Sequence, residues 1–155
     1  MTRREDMTRS SDSEPPFDVD VFLARPLVAR LATTGPAVRP IWFLWEDSTF
    51  WWLTGSYSRL AQMLHRDPRV ALVVDTCDLV TGRVQVVSVR GVAEVVALDR
   101  ERAIRKFIRY LGADEAHWDE RFRASLFDPS TRLVRLVPSS LRAWDRSFLP
   151  ADSGQ

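Results

Sequence analysis

Two adjacent segments, residues 38–46 and 49–54, are rich in aromatic and β-branched residues and are separated only by Asp47 and Ser48. This pattern predicts a β-hairpin. A strand with one face in water alternates apolar and polar residues, but residues 41–45 read Ile-Trp-Phe-Leu-Trp without a polar side chain. Both faces of the hairpin must therefore be covered, by a helix, a ligand or a second subunit.

Further segments rich in aliphatic residues predict additional strands, and residues 83–96 form the longest of them. A straight strand of that length would span roughly 46 Å, which is too long for a small domain. Its apolar positions change phase between Val86 and Gly91, which predicts a bulge or bend there, and small barrels turn their corners with such strands. The other predicted strands are residues 27–33, 69–75 and 131–137, with 141–145 continuing the last.

The predicted helices are short and lie between the strands. They are one that ends before Pro26, one that begins at Ser56 or Ser58 and ends at Pro68, one over residues 99–111 and one over 114–126. Six or seven antiparallel strands with short peripheral helices predict an α+β split β-barrel.

Length and charge limit the class of protein. At 155 residues, with 45% hydrophobic residues, the chain is long enough for one domain with a buried core. We assign this domain to residues 17–148 and expect residues 1–16 and 149–155 to be disordered tails. The 22 basic and 21 acidic residues nearly balance, which argues against a nucleic-acid-binding domain.

Cysteine and histidine are scarce. The single cysteine, Cys77, excludes an internal disulfide and a multi-cysteine zinc site, and it fits a reducing compartment. Two histidines leave little for metal or triad chemistry, so we predict no metal site. No apolar run approaches the roughly 18 residues of a membrane span, and no apolar segment follows Arg3 and Arg4. We therefore expect a soluble, cytoplasmic protein without membrane contact.

The predicted helix 99–111 carries an apolar face and a basic face. Its apolar residues are Ile104, Phe107, Ile108 and Leu111, and its basic face consists of Arg102, Arg105 and Arg109. Acidic residues flank the arginines in a nearly neutral domain, so we expect a solvated face rather than a nucleic-acid contact. The helix also contains Lys106, the only lysine of the chain.

The order of several short motifs resembles that of the pyridoxamine-phosphate oxidase-like family of flavin-binding split barrels. The motifs are Ala-Arg-Leu-Ala-Thr-Thr at 29–34, Arg-Pro-Ile-Trp-Phe at 39–43, Thr-Gly at 54–55, Ser-Arg at 58–59, Arg-Asp-Pro-Arg-Val-Ala-Leu at 66–72 and Leu-Arg-Ala-Trp at 141–144. The resemblance extends over about residues 20–146, and the order and spacing of the motifs are more specific than any one of them.

The resemblance implies a homodimer of split barrels with cofactor sites at the subunit interface. It implies FMN or the deazaflavin coenzyme (F-420) as cofactor, with haem as a less favoured ligand. The family positions that bind the cofactor correspond here to Arg39, Pro40, Ile41, Trp42, Leu53, Thr54, Ser58, Arg59 and Trp144. Ser58 and Arg59 match the start of a phosphate-binding Ser-Arg-Lys motif, and Trp144 matches a tryptophan that reaches the cofactor from the partner subunit.

The sequence departs from the family in the phosphate-binding motif. Leu60 stands where most relatives have lysine, and Met63 stands where an asparagine is usual, so Arg59 and Arg39 are left to carry the charge. Our first hypothesis is an FMN- or deazaflavin-dependent oxidoreductase that transfers hydride to or from a small unsaturated or heteroaromatic substrate, with no assignable catalytic side chain. The alternative is a protein that binds flavin, haem or a haem breakdown product without turnover, and Leu60 and Met63 favour it.

Four tryptophans of the hairpin admit two interpretations. Trp42, Trp45, Trp51 and Trp52 either flank a planar ligand ring or fill the barrel core and a subunit interface. For any one of them, the core or interface is the favoured interpretation.

Overall fold

A computed structural model of the chain describes residues 14–151. Its elements are α1 (Val19–Leu23), β1 (Val28–Thr33), β2 (Ala37–Trp42), β3 (Leu44–Glu46), β4 (Thr49–Thr54), α2 (Leu60–Arg66), β5 (Arg69–Asp78), β6 (Arg83–Val96), α3 (Arg100–Leu111), a 3-10 turn (Glu115–His117), α4 (Glu120–Ser125) and β7 (Arg132–Asp145). The predicted tails, residues 1–16 and 149–155, lie largely outside the described residues.

The seven strands form one antiparallel sheet in the order β2–β1–β5–β6–β7–β4–β3. Strands β2 and β3 lie at opposite edges of this sheet, although only Phe43 separates them in the chain. The sheet must therefore curl until its two edges approach each other at Phe43. This curvature, with short helices outside the sheet, confirms the predicted α+β split β-barrel.

The predicted strand 38–46 is wrong as a single element, because the chain leaves the sheet edge at Phe43 and divides the segment into β2, which pairs with β1, and β3. Only residues 44–46 form the predicted hairpin with β4, and its turn residues Asp47 and Ser48 both have positive φ angles, 54° and 53°. Two residues in this conformation make the tight turn whose twist matches that of the flanking strands.

Strand β6 has the predicted irregularity. Its register with β7 shifts between Arg90 and Gly91, inside the predicted interval. A Cβ atom on Gly91 would lie 2.9 Å from the carbonyl oxygen of Val137 and 2.7 Å from the Leu136 Cδ1 atom. Glycine is therefore required where the two longest strands bend together.

The interior of the sheet holds the larger core cluster, which includes Phe43, Phe50, Trp52, Val89 and Leu136. A smaller cluster lies under the helices and consists of Ala103, Phe107, Trp118 and Leu126. It contains the side of α3 that faces the barrel.

The orientation of α3 differs from the sequence prediction. Its buried residues are Ala103, Lys106 and Phe107, whereas Ile108 is 39% exposed. The buried face of α3 is therefore rotated from the predicted one. The helix packs against Trp118 and Leu126, which follow it in the chain and are not part of its own periodic pattern. The side chain of Asp99 accepts a hydrogen bond from Arg102 N at the start of α3, and Gly112 ends it with φ +89°.

The predicted helix 114–126 is wrong as a single element. It consists of the 3-10 turn and α4, with Trp118 extended between them and Asp119 capping α4 through Arg121 N. The indole Nε1 of Trp118 donates a 2.9 Å hydrogen bond to the carbonyl of Gly112. This contact and the burial of Trp118 interrupt the helix, because an unbroken helix would place the ring elsewhere.

Candidate functional site

A cleft of about 680 Å³ lies between β2, the end of β4, the start of α2, and helices α3 and α4. This volume is within the range of small-molecule and cofactor sites. Seven of the nine predicted cofactor-binding residues line it: Arg39, Pro40, Ile41, Trp42, Leu53, Thr54 and Ser58. The fold therefore brings residues from β2, β4 and the α2 approach to one place.

The other two predicted residues lie elsewhere in the chain. Arg59 is exposed at the residue before α2, its side chain makes no capping hydrogen bond, and it does not line the cleft. Trp144 lies opposite Val86 in the β6–β7 pair and is 37% exposed, outside the cleft of its own chain. The role implied for Trp144 requires a partner subunit, so it stays a prediction, as does the role of Arg59.

Arg39 and Ser58 form the polar end of the cleft. Arg39 Nη1 donates to Ser58 Oγ across 3.3 Å, and Arg39 Nη2 lies 3.2 Å from the sulfur of Met63. Ser58 Oγ also accepts a 3.1 Å hydrogen bond from the backbone N–H of Leu60. Because the Ser58 oxygen accepts both bonds, its own O–H is left to donate to a ligand.

Aromatic rings form the apolar side of the cleft. Trp42 stacks on Tyr110 of α3, with ring centroids 4.5 Å apart and the planes 1° from parallel. It also stacks on Phe122 of α4 at 5.5 Å. Phe107 packs against Phe122 with centroids 5.4 Å apart. These contacts fix the Trp42 ring before any ligand binds.

A buried hydroxyl adjoins the cleft. Thr54 is 1% exposed, it lines the cleft, and its Oγ1 atom has no hydrogen-bond partner among the described residues. A buried polar atom without a partner is destabilising, so native structures rarely leave one unsatisfied. A polar ligand atom in the cleft would supply the missing partner.

Charged residues that the sequence analysis did not assign also line the cleft. They are Lys106 of α3, Arg121 of α4 and Asp128 after α4. Lys106 lies on the same buried face of α3 as Ala103 and Phe107. The sequence did not predict which face of α3 is buried, and so it did not identify Lys106 as a residue of the cleft. With Arg39, three basic side chains and one carboxylate surround the cavity.

The remaining hairpin tryptophans lie outside the cleft. Trp52 is 1% exposed in the main core, and Trp45 donates from Nε1 to Asp20 of α1 across 2.7 Å. The guanidinium of Arg102 lies 3.9 Å from the centre of the Trp51 ring. Trp51, on the hairpin whose two faces were both expected to be covered, is therefore covered by α3 of the same chain.

The basic face of α3 is solvated only at Arg105, and all three of its arginines have partners in the protein. Glu46 of β3 accepts from Arg105 at 2.7 and 2.9 Å and from Arg102 at 3.1 Å. These hydrogen bonds, chiefly the one from Arg105, lower the pKa of Glu46 below its ordinary value. Arg109 donates to the backbone carbonyls of Leu23 and Arg25. The arginines attach α3 to the hairpin and to α1.

A second concavity, of about 840 Å³, lies between α2 and β6. None of the nine predicted residues lines it. Among residues 14–151, no group of three or more His, Cys, Asp or Glu side chains is arranged to hold a metal ion. Within the same part of the chain, no helix combines the length and hydropathy needed to cross a membrane.

The pyridoxamine 5'-phosphate oxidase family model matches residues 18–145, most of the chain. The chain belongs to the pyridoxamine 5'-phosphate oxidase family. Leu60, which the sequence analysis placed in the phosphate-binding motif, is buried and lines the cleft. A search of curated proteins finds no match.

Solved structures with the same fold include proteins whose names indicate different functions. A conserved hypothetical protein from Mycobacterium tuberculosis is 24% identical, with a TM-score of 0.69 and coverage of 100% of this chain and 98% of that one. An F-420 reductase is 20% identical, with a TM-score of 0.61 and coverage of 81% and 97%. The haem storage protein HutZ from Vibrio cholerae is 19% identical, with a TM-score of 0.61 and coverage of 79% and 89%.

Proposed function

We propose that this protein is an oxidoreductase that binds FMN or coenzyme F-420 in the cleft. It would transfer hydride between that cofactor and a small unsaturated or heteroaromatic substrate. The observation that supports this proposal is that one cavity has a cationic end at Arg39 and Ser58 and an aromatic side at Trp42. A cofactor with a flat ring and an anionic tail requires an apolar surface for the ring and a cationic group for the tail. The structural likeness to an F-420 reductase supports this class of cofactor.

Each residue of the cleft has a role in this proposal. Arg39 and Ser58 bind the anionic tail, because a guanidinium and a hydroxyl donor suit a phosphate. Thr54 gives its unpaired hydroxyl to a polar atom of the ligand. Pro40, Ile41, Trp42 and Leu53 form the wall beside the ring. When bound, the cofactor supplies the hydride chemistry, while the protein orients the reactants and excludes water.

Arg59 and Trp144 enter the proposal through a homodimer. Both side chains are exposed and lie outside the cleft of their own chain. In the homodimer implied by the family, Trp144 of one subunit would approach the cofactor of the other. A monomer by light scattering at micromolar concentration would contradict this arrangement. The single cysteine, the exposed Cys77, fits the cytoplasmic location that we propose.

The decisive experiment is the absorption spectrum of the purified protein, with mass spectrometry of any molecule that heat releases. We expect a flavin or deazaflavin band, and reduction of the bound cofactor by a nicotinamide or by reduced F-420. A colourless protein that binds neither FMN nor F-420 on titration would overturn the proposal.

Arginine variants test the assignment of the anionic tail. Arg39→Ala is expected to weaken FMN binding at least tenfold, which corresponds to about 1.4 kcal/mol, and to leave riboflavin binding nearly unchanged. Arg59→Ala tests the family-derived role in the same assay. Arg30→Ala is the control, because Arg30 pairs with Asp75 on β5 and does not line the cleft. Equal FMN affinity for Arg39→Ala and the unaltered protein would refute the assignment.

The second candidate function is binding of a flat ligand, such as flavin, haem or a haem breakdown product, without turnover. It is favoured by Leu60 and Met63, which replace polar residues of the family at the cationic end, and by the likeness to a haem storage protein. A Soret band after titration with haemin, or a bound flavin that no donor reduces, would favour this function.

A further inference from the structure

Lys106 is a buried amine that faces a cavity. Its side chain is 5% exposed, it lines the cleft from α3, and Nζ lies 4.7 Å from the centre of the Phe107 ring. Among residues 14–151, no ion pair includes Lys106. The one carboxylate of the cleft, Asp128, accepts instead from the backbone N–H of Ser130 at 2.8 Å.

An ammonium group without a counter-ion is unfavourable in such a place. Burial, and repulsion from Arg109, lower the pKa of Lys106 to about 7. The amine is therefore near half protonation at neutral pH. A negative charge placed beside Nζ would stabilise the ammonium form and raise its pKa again.

We propose that Lys106 binds an anionic group of the ligand in this cleft and takes up a proton from water as the ligand binds. The ligand class is a flat ring compound that carries a phosphate or another oxyanion. This inference rests on the proposed function for the identity of the ligand, but not for the presence of an anion site. Leu60, at the start of α2, is apolar and supplies no charge to the cleft. In this proposal, Lys106 of α3 supplies a cation in its place.

Other charged and titratable groups also surround the cleft. Partial desolvation raises the pKa of Tyr57 from 10, and hydrogen bonds from Ser130 lower the pKa of Asp128 from 3.8, so neither of these two groups titrates between pH 7 and 9. The surrounding groups are Arg39 on β2, Tyr57 before α2, Arg121 on α4, Asp128 after α4 and Arg109 on α3 itself. Lys106 is thus the group that would make anion binding depend on pH in this range.

The first test measures FMN affinity by flavin fluorescence at pH 7 and pH 8, with riboflavin as the matched ligand that lacks the phosphate. For the unaltered protein, the Kd for FMN is expected to rise about three- to fivefold over that interval, from the loss of protonated Lys106. The Kd for riboflavin should not rise. In Lys106→Met, FMN binding should be weaker at pH 7 and independent of pH.

The control variant is Arg121→Met, which removes a permanent cation from the same cleft and keeps Lys106. It should weaken FMN binding by the same factor at both pH values. If Lys106→Met kept the full pH dependence, or bound FMN as tightly as the unaltered protein at pH 7, the inference would be wrong.

The second test exploits the single lysine and does not require FMN to bind. Lysine labelled with ¹³C at the ε carbon gives one lysine signal, whose pH titration reports the pKa of Lys106 directly. Inorganic phosphate or FMN should move the midpoint upward by at least one pH unit. If FMN does not bind but phosphate still moves the midpoint, the proposed FMN function fails and the anion site stands. If neither anion moves it, the anion site is refuted.

Discussion

The hydroxyl of Tyr110 accepts a hydrogen bond from the backbone N–H of Phe43, with the two heavy atoms 3.0 Å apart. The same hydroxyl lies 2.7 Å from the carbonyl oxygen of Leu27, to which it donates. Phe43 is the residue at which the chain leaves β2, at one edge of the sheet, and enters β3 at the other. A side chain of α3 thus replaces the strand partners that the backbone lacks at this crossing.

Replacing Tyr110 by Phe should destabilise the protein by about 1–3 kcal/mol, because it leaves the N–H of Phe43 and the carbonyl of Leu27 without their partner. The stacking on Trp42 would be kept. Urea unfolding of the variant measures the effect. Tyr57→Phe is the control, since Tyr57 is 76% exposed and its hydroxyl has only a long, 3.5 Å contact. Equal stability of the two variants would contradict the role given to the Tyr110 hydroxyl.

Replacing Glu46 by Gln should weaken the attachment of α3 to the hairpin at neutral pH by about 1 kcal/mol, since the pair is only partly buried. The pKa of Glu46 is lowered from 4.5 by its arginine partners, so its charged form favours the folded state. Its contribution is therefore present above pH 4.5 and is lost as the pH falls through the lowered value.

The measurement is the free energy of unfolding of both proteins at pH 7 and near pH 3. The difference between them should be largest at pH 7 and should shrink at the lower pH. Glu101→Gln removes the same charge from an exposed position of α3 and serves as the control. A constant difference at both pH values would show that the Glu46 ion pairs are not its source.

Replacing Lys106 by Met should increase stability at neutral pH, because the folded protein then no longer buries an amine. The pKa of Lys106 falls from 10.5 to about 7 in the folded state, so the unfolded chain binds more protons between these values. The stability of the unaltered protein should therefore rise relative to the variant by up to about 1.4 kcal/mol per pH unit in this window. Urea unfolding between pH 7.5 and 9.5 measures the slope, and a flat difference would contradict the burial of the amine.

Replacing Gly91 by Ala should destabilise the barrel by about 2 kcal/mol, because the added Cβ would press on the carbonyl of Val137 and on Leu136. Gly55→Ala is the matched control. Its nearest atom, at 2.9 Å, belongs to the Tyr57 ring, which is exposed and free to move aside. Thermal unfolding compares the two variants. If Gly55→Ala were the more damaging of the two, the close approach at the β6 bulge would not be the constraint that we infer.

Much of the strand arrangement was predictable because strand signals are local. The two-residue turn at Asp47 and Ser48 and the phase change before Gly91 each reflect neighbouring residues. The apolar run at 41–45 did not reveal the break at Phe43, because the two edges of the sheet approach each other there only in the folded chain. The motif order then gave the family, and seven of the nine predicted site residues do line one cleft. Helix 114–126 was predicted wrongly because Trp118 is extended and buried through contacts with other elements, which no local pattern records.

The sequence by itself determined that both faces of the aromatic hairpin had to be covered, since no polar residue interrupts the run at 41–45. Only the tertiary structure decided what covers it and which cation enters the cleft. Arg102 covers Trp51, and Lys106 faces the cavity, because packing against residues from distant elements sets the rotation of α3. The orientation of a helix with charged residues on several sides depends on those contacts, and they form only when the chain is folded.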